Sequence, residues 1–152
     1  MRKSLLFLLL PFFLSAQSSW NMNLLGSFEY PSTQGNDIWG WVDLNGNEYA
    51  LVGLRNGFSV VNVTNPSLPV EQFFISDINS IWRDVKTWGN YAYVTTEANA
   101  GLLIVDLTDM TGNTYWHVSQ FINPTTGSSV TFTSAHNLYI DENGVCYIFG
   151  AG

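Results

Sequence analysis

The sequence predicts an all-β protein, a β-propeller of four-stranded antiparallel blades with about two and a half blades present in the chain. Segments recur at offsets of 42 to 44 residues, for example YALV at 49–52 and YAYV at 91–94. These segments are short, rich in β-branched and aromatic residues, and separated by Gly, Asn and Pro. A period in the low forties made of short strands is typical of propeller blades rather than of helical repeats.

Residues 1–16 have the pattern of a secretory signal peptide. Arg2 and Lys3 precede an apolar run over 5–14, and Ser15-Ala16 forms a small-residue cleavage site. The apolar run is too short to cross a bilayer. We therefore expect an exported mature chain, secreted or extracellular, with no membrane span after signal cleavage. Any cell-surface anchoring would come from a C-terminal segment outside this sequence.

The composition of the mature chain argues against nucleic-acid binding and excludes an intrachain disulfide. Removal of residues 1–16 leaves three basic residues against twelve acidic ones, a formal charge of −9, which repels phosphate backbones and predicts no nucleic-acid binding. Cys146 is the only cysteine, so no intrachain disulfide can form, and we expect a small buried apolar side chain there. Packing must stabilise the fold.

Residues 17–152 are predicted to be one partial propeller that begins with a lead-in and a first blade. The lead-in, 17–36, contains a possible strand at 24–30 that would close a ring by joining the last blade. Blade 1 is predicted at 37–76, with strands at 38–44, 48–53, 58–63 and 70–75. Asn45-Gly46 predicts a tight hairpin between the first two, because both residues tolerate positive φ.

The remaining chain is predicted to hold a second blade and the start of a third. Blade 2 is placed at 77–122, with strands at 81–87, 91–96, 102–107 and 115–121. Residues 123–152 form a linker and the first strands of blade 3, at 138–140 and 145–149. Because propellers close with four to eight blades, we expect an N-terminal fragment whose remaining blades lie in a missing C-terminal part.

The second repeat carries a resemblance to a known family. The segments RDVK at 83–86, GNYAYV at 89–94 and GLLIVDLTD at 101–109 resemble the LVIVD repeat. Together with the signal peptide and AHNL at 135–138, the arrangement is similar to the bacterial choice-of-anchor B proteins. The resemblance implies a secreted or surface-displayed propeller with a variable C-terminal anchoring segment. It implies no assigned reaction, so no catalytic residue is transferred to this chain.

Four polar residues near the start of the channel-lining strands are candidate ligand-binding residues. Arg83 and His136 share one repeat position, and Asp84 and Asn137 share the next. If they face the propeller axis or its rim, they would form a polar ring able to bind a small anion, a sugar or an ion. The alternative is a structural hydrogen-bond network between neighbouring blades.

The tryptophans divide into two predicted groups. Trp39 and Trp82 align in the repeat, which favours packing between blades. Trp41 and Trp88 have no tryptophan at the matching position, so we list them as candidate ligand-binding residues at the rim. Exposed aromatic side chains there would stack on sugar rings or contact a protein partner, and ordinary partial burial is the alternative.

No motif in the sequence predicts a metal, a cofactor or a catalytic centre. His117 and His136 lack the spacing of a zinc site, and no nucleophile elbow of the Gly-x-Ser-x-Gly type is present. We therefore favour a secreted or cell-surface scaffold for non-catalytic binding or adhesion, whose partner is an extracellular protein or a glycan. The alternative is an extracellular propeller hydrolase or lyase acting on polysaccharide, with catalytic residues largely outside this chain.

Overall fold

The computed structural model describes residues 22–152, and these residues are all-β. No helix occurs in this range, which confirms the predicted fold class. None of the described segments is therefore a helix of the length and apolarity needed to cross a membrane. The signal peptide predicted at 1–16 lies outside the described residues.

The described part of the chain contains the following twelve strands. They are β1 (Gly35–Val42), β2 (Glu48–Leu54), β3 (Gly57–Asn62), β4 (Val70–Ser76), β5 (Val85–Trp88), β6 (Tyr91–Val94), β7 (Leu102–Asp106), β8 (Tyr115–Val118), β9 (Gln120–Ile122), β10 (Ser129–Thr131), β11 (Asn137–Ile140) and β12 (Cys146–Phe149).

The strands form two four-stranded antiparallel sheets and two smaller hairpins. Strands β1 to β4 form blade 1 and strands β5 to β8 form blade 2, each in sequential order. Strands β11 and β12 form a two-stranded sheet, blade 3, and β9 pairs with β10 in a separate hairpin. The first strand of each blade, β1, β5 and β11, lies beside that of the next blade. This open arrangement fits a partial propeller.

Two hydrophobic cores hold the three blades together. The core between blades 1 and 2 is formed by buried side chains of both sheets, among them Leu51, Phe58, Val85, Val94 and Leu103. Phe58 and Leu103 are fully buried, and each such side chain contributes about 1.5–3 kcal/mol to folding. The core between blades 2 and 3 is smaller and contains Leu102, Phe132, Leu138, Ile140 and Ile148.

The hairpin turns of blades 1 and 3 are held by the same arrangement of hydrogen bonds to an aspartate side chain. Asp43 Oδ1 accepts the N–H groups of Asn45 and Asn47, both at 2.8 Å, and Asp141 Oδ1 accepts those of Asn143 and Val145, both at 2.9 Å. These hydrogen bonds lower the pKa of both carboxyl groups, that of Asp43 chiefly through the Asn47 side chain. Each turn therefore supplies its own acceptor for the backbone, as is common for aspartate.

The strand predicted at 24–30 was expected to pair with the last blade of a closed ring, and that pairing stays a prediction. Within the described residues this segment has no regular secondary structure. The Tyr30 hydroxyl donates to Ser59 Oγ at 2.9 Å, and Ser59 in turn donates to Glu71 Oε1 at 2.6 Å.

Two strand boundaries also differ from the prediction. Strand β5 begins at Val85 rather than at residue 81, because residues 81–84 form contacts between blades instead of a ladder. The predicted strand at 115–121 ends at Val118, and the chain then turns into the β9–β10 hairpin. Part of the expected linker, residues 129–131, is therefore a strand.

We predict that Asp109, in the turn between β7 and β8, makes the stability of the fold sensitive to low pH. Asp109 accepts from the Thr111 and Thr114 hydroxyls at 2.5 and 2.6 Å, and these bonds lower the pKa of Asp109 to about 2. A carboxyl with a lowered folded-state pKa stabilises the fold above its unfolded pKa, and that stability is lost as pH falls towards about 2. We expect Asp109→Asn to show a smaller fall of the urea midpoint between pH 4 and 2.

The matched control for this experiment is Glu142→Gln, which removes an exposed carboxyl from another turn. Urea midpoints followed by tryptophan fluorescence at half-unit pH steps compare the two variants with the wild type. A wild-type pH profile in Asp109→Asn would contradict the assignment of this acid sensitivity to the turn.

Candidate functional site

Arg83 lies in the junction between blades 1 and 2, and its side chain is fully buried. Its three guanidinium nitrogens each donate a hydrogen bond: Nε to the Leu54 carbonyl at 2.7 Å, Nη1 to Asp77 at 2.8 Å and Nη2 to the Ile78 carbonyl at 2.5 Å. His117 Nε2 lies 3.4 Å from the same Asp77 carboxylate. This guanidinium is a structural link between the blades, and no face of it reaches solvent.

Asp84 makes a hydrogen bond to the next blade that also occurs between blades 1 and 2. Its Oδ2 accepts the N–H of Leu138 in β11 at 2.8 Å, and Asp37 Oδ2 accepts the N–H of Val85 in β5 at the same distance. In both cases a carboxylate at the start of one inner strand fixes the inner strand of the next blade. Asn137 occupies the corresponding position in blade 3 and is exposed.

Lys86 adds a charged contact along the inner strands. Its Nζ lies 2.5 Å from Asp84 Oδ1, 3.9 Å from Asp37 Oδ2 and 4.6 Å from the centre of the Trp39 ring. The Trp39 indole also donates to the Thr87 hydroxyl of blade 2 at 3.1 Å. Trp39 therefore contacts blade 2, whereas Trp82, for which the same packing was predicted, is 51% exposed.

The repeat alignment of the tryptophans is wrong in two respects. Trp39 lies opposite Leu51 as Lys86 lies opposite Tyr93, so Trp39 is equivalent to Lys86 and not to Trp82. Trp41 pairs with Tyr49 across the first hairpin of blade 1, and Trp88 pairs with Tyr91 across that of blade 2. Trp41 and Trp88 are therefore equivalent, whereas the sequence comparison gave neither a partner. The hairpin lengths explain the error: seven residues separate Trp41 from Tyr49, but two separate Trp88 from Tyr91.

The two equivalent indoles both lie against the hairpin turn of the following blade. Trp41 Nε1 donates to the carbonyl of Gly89, in the hairpin turn of blade 2, at 3.2 Å. Trp88 covers Gly144 in the hairpin turn of blade 3, where an added Cβ would lie 2.7 Å from the indole. Trp41 is only 9% exposed and Trp88 is 42% exposed. Trp41 is therefore not an exposed rim aromatic, and repeat packing accounts for the position of both indoles.

Three exposed side chains from blades 2 and 3 converge at one end of the inner strands. We call Trp82, Glu97 and His136 the rim cluster. The ring centroids of Trp82 and His136 lie 5.8 Å apart, and His136 Nδ1 lies 2.6 Å from Glu97 Oε1. Trp82 is 51% exposed, and the side chains of His136 and Glu97 are 55% and 42% exposed. The cluster thus combines an open aromatic face with two polar groups.

The backbone around the rim cluster is held in place by hydrogen bonds. Trp82 is bracketed by the Ser80 hydroxyl, which donates to the Trp82 carbonyl at 2.8 Å and accepts its N–H at 3.3 Å. The His136 N–H donates to the Phe149 carbonyl at 2.9 Å. Because these anchors are buried or part of a strand, the side chains start from a defined position, which favours binding of a ligand.

The chemistry available at the rim cluster is recognition of a polar ligand with an apolar face. With the His136 Nδ1–H donating to Glu97, the ring Nε2 is a free hydrogen-bond acceptor, and the second Glu97 oxygen is another. The Trp82 ring supplies a stacking surface. Within residues 22–152, no three His, Cys, Asp or Glu side chains are grouped so as to hold a metal ion.

The structure separates the six predicted site residues into two sets. Arg83, Asp84 and Trp41 are buried in contacts between blades, and Trp88 packs on the next blade. His136 and Asn137 are exposed, and ligand binding by these two stays a prediction.

Sequence reasoning missed the contribution of Glu97. This residue lies in the loop after β6 and comes from a position 39 residues before His136. No motif connects the two residues.

The fold and the rim cluster define a non-helical repeat protein of propeller type, in which contacts between blades repeat and the exposed side chains vary. The family model of the LVIVD repeat matches the chain at two places, residues 41–77 and 82–112. The two matched segments correspond to most of blade 1 and to the first three strands of blade 2. No curated protein and no solved structure matches the chain at a significant level.

Proposed function

We propose that this chain is a secreted or cell-surface scaffold that binds a neutral glycan at the rim cluster without chemical turnover. The observation that carries the proposal is the open face of Trp82 beside the hydrogen-bonded pair Glu97 and His136. Sugar rings present an apolar face and a girdle of hydroxyl groups, so they match an indole flanked by hydrogen-bond acceptors.

The charge of the chain restricts the class of glycan. The predicted mature chain carries a formal charge of −9, and its rim cluster contains a carboxylate. A polyanionic glycan would be repelled by this surface. A neutral polysaccharide avoids that repulsion and can still donate hydroxyl protons to Glu97 and His136.

The location outside the cell rests on the N-terminal sequence. Residues 1–16 have a basic start, an apolar run and a small-residue cleavage site. The segment AHNL at 135–138, with the LVIVD repeats, supports placement among the choice-of-anchor B proteins. Expression of the full chain in a bacterial host, followed by N-terminal sequencing of the exported product, tests the location, and a new terminus at Gln17 is the expected result.

We expect Trp82→Ala to weaken glycan binding by at least about tenfold, which is about 1.4 kcal/mol, because it removes the stacking surface. Native gel electrophoresis of the exported chain through xylan, glucomannan or hydroxyethyl cellulose measures the retardation. The matched control is Trp116→Ala, since Trp116 is 43% exposed on the outer strand β8 and lies outside the rim cluster. Equal retardation of wild type and Trp82→Ala would refute the site.

One observation favours a second candidate function, an extracellular hydrolase or lyase acting on polysaccharide. The Glu97–His136 pair is a carboxylate and an imidazole within hydrogen-bond distance, which is a common arrangement for proton transfer. In an enzyme, Glu97→Gln would abolish release of reducing ends from the same polysaccharides. For the scaffold we expect no release by the wild type, and steady release would overturn the proposal.

A further inference from the structure

A groove lies between blades 1 and 2 at the end of the strands where the β1–β2, β5–β6 and β7–β8 turns meet. We call this end of the blades the hairpin end and the groove the hairpin groove. Its apolar lining is formed by Trp41, Leu44, Leu107 and Met110. Its volume is about 260 Å³, which is below the range of about 300–1,000 Å³ that is usual for small-molecule sites. The groove therefore suits a single side chain of a partner rather than a whole cofactor.

Leu44 lies in the β1–β2 turn at the edge of the groove and is 97% exposed. The β11–β12 turn of blade 3 has the same hydrogen bonds to an aspartate side chain, and it has Glu142 where blade 1 has Leu44. The turn therefore folds without an apolar side chain at this position. An exposed leucine that the turn does not require, beside an apolar groove, indicates a surface that binds a partner.

The hairpin end carries negative charge that no basic residue offsets. Six carboxylates lie in its turns or directly beside them, those of Asp43, Glu48, Asp106, Asp109, Asp141 and Glu142. The basic and imidazole side chains among residues 22–152 all lie towards the opposite end of the strands, and they belong to Arg55, Arg83, Lys86, His117 and His136. Charge complementarity therefore selects a positively charged occupant for the groove.

The same charge argues against two other occupants. Asp43, Asp109 and Asp141 accept hydrogen bonds that lower the pKa of each carboxyl group, so all three stay ionised well below neutral pH. A second copy of the hairpin end would bring an equal set of carboxylates to the contact, and a membrane of anionic lipids would also be repelled. A basic partner gains attraction where these two meet repulsion.

We propose that the hairpin groove is a docking site for a basic segment of a protein partner, which inserts one large apolar side chain against Leu44 and Met110. Lysine or arginine residues on either side of that apolar residue face the carboxylates of the flanking turns. An apolar anchor in a groove with a charged border is a common way for a protein surface to bind a peptide segment. The site is independent of the rim cluster, which lies at the opposite end of the strands.

The probe for this site is the capped peptide Lys-Lys-Gly-Leu-Gly-Lys-Lys, titrated at low salt into the ¹⁵N-labelled exported chain and followed by NMR. We expect saturable shifts of the Trp41 indole N–H and of the Asn45 and Asn90 amides, which line the groove, and no shift at His136. A peptide with serine in place of leucine should bind at least about tenfold more weakly, because it has no apolar anchor. A peptide with glutamate in place of every lysine should not bind.

Leu44→Gln is expected to weaken binding of the leucine peptide at least about fivefold, because it removes the exposed apolar edge of the groove. The matched control is Leu68→Gln, which removes another exposed leucine from the β3–β4 turn outside the groove and should change the Kd less than about twofold.

Equal affinity of wild type and Leu44→Gln for the leucine peptide, or equal affinity of the wild type for the leucine and serine peptides, would overturn the proposal. Shifts of the same signals on addition of phosphatidylcholine vesicles would also overturn it, in favour of a lipid surface. Shifts that appear on raising the protein concentration without peptide would overturn it in favour of a second copy of the chain.

Discussion

Arg83→Met is expected to lower the free energy of unfolding by about 3–5 kcal/mol, the loss that follows when one partner of a buried ion pair is removed. The Asp77 carboxylate, whose side chain is only 4% exposed, would lose its 2.8 Å contact with the guanidinium. The carbonyls of Leu54 and Ile78 would lose their donors as well. Urea unfolding followed by tryptophan fluorescence measures the change.

Two variants separate this effect from a general loss of positive charge. Arg55→Met removes an exposed arginine from the β2–β3 turn and should change the free energy of unfolding by less than about 0.5 kcal/mol. In Arg83→Met/Asp77→Asn the buried negative charge is also absent, so part of the stability should return. A loss below about 1 kcal/mol in the single variant would show that the buried network is not a major link between the blades.

Arg83, a candidate binding residue in the sequence, makes structural hydrogen bonds between the blades, and other polar residues of the repeat do the same. At the starts of the inner strands of blades 1 and 2, Asp37, Arg83 and Asp84 hydrogen-bond to residues of a neighbouring blade. Asn36, one position before Asp37, does the same by donating to the Ile81 carbonyl at 2.6 Å. Binding residues are therefore better sought among exposed groups such as Trp82 than among polar groups at repeat positions.

The sequence was sufficient to predict the strands and the turns of the two repeats because local signals dictate them. Strands β2 and β3 are rich in apolar and β-branched residues, which favour strands, and Asp43 and Asp141 each accept backbone N–H groups within their own turn. Asn62 and Asp106 each accept the N–H of the residue two positions on, which is common for Asn and Asp before a turn.

The prediction failed where partners distant in sequence decide the structure. Only one of the three rim-cluster residues, His136, was proposed as a binding residue. Trp82 was expected to pack between blades, and Glu97 lies 39 residues before His136 in the sequence. The unequal hairpin lengths likewise hid the match between Trp41 and Trp88.

Asp84→Ala should lower the free energy of unfolding by about 2–3 kcal/mol, because it leaves the buried N–H of Leu138 without an acceptor and separates Lys86 from its closest carboxylate. Asp84→Ala should mainly weaken the contact between blades 2 and 3, since each blade in a repeat protein is stabilised by its neighbours. Hydrogen exchange at the Leu138 amide should then accelerate more than at Val85, whose acceptor Asp37 is untouched.

Asp84→Asn is the matched variant, because it keeps an oxygen for the Leu138 N–H and places at this position the residue that blade 3 already has, Asn137. If the hydrogen bond between blades carries the effect, this variant should lose under about 1 kcal/mol and keep slow exchange at Leu138. If both variants lose equally, the ion pair with Lys86 is the stabilising contact. The repeated aspartate would then act through charge along the inner strands rather than as a backbone acceptor for the next blade.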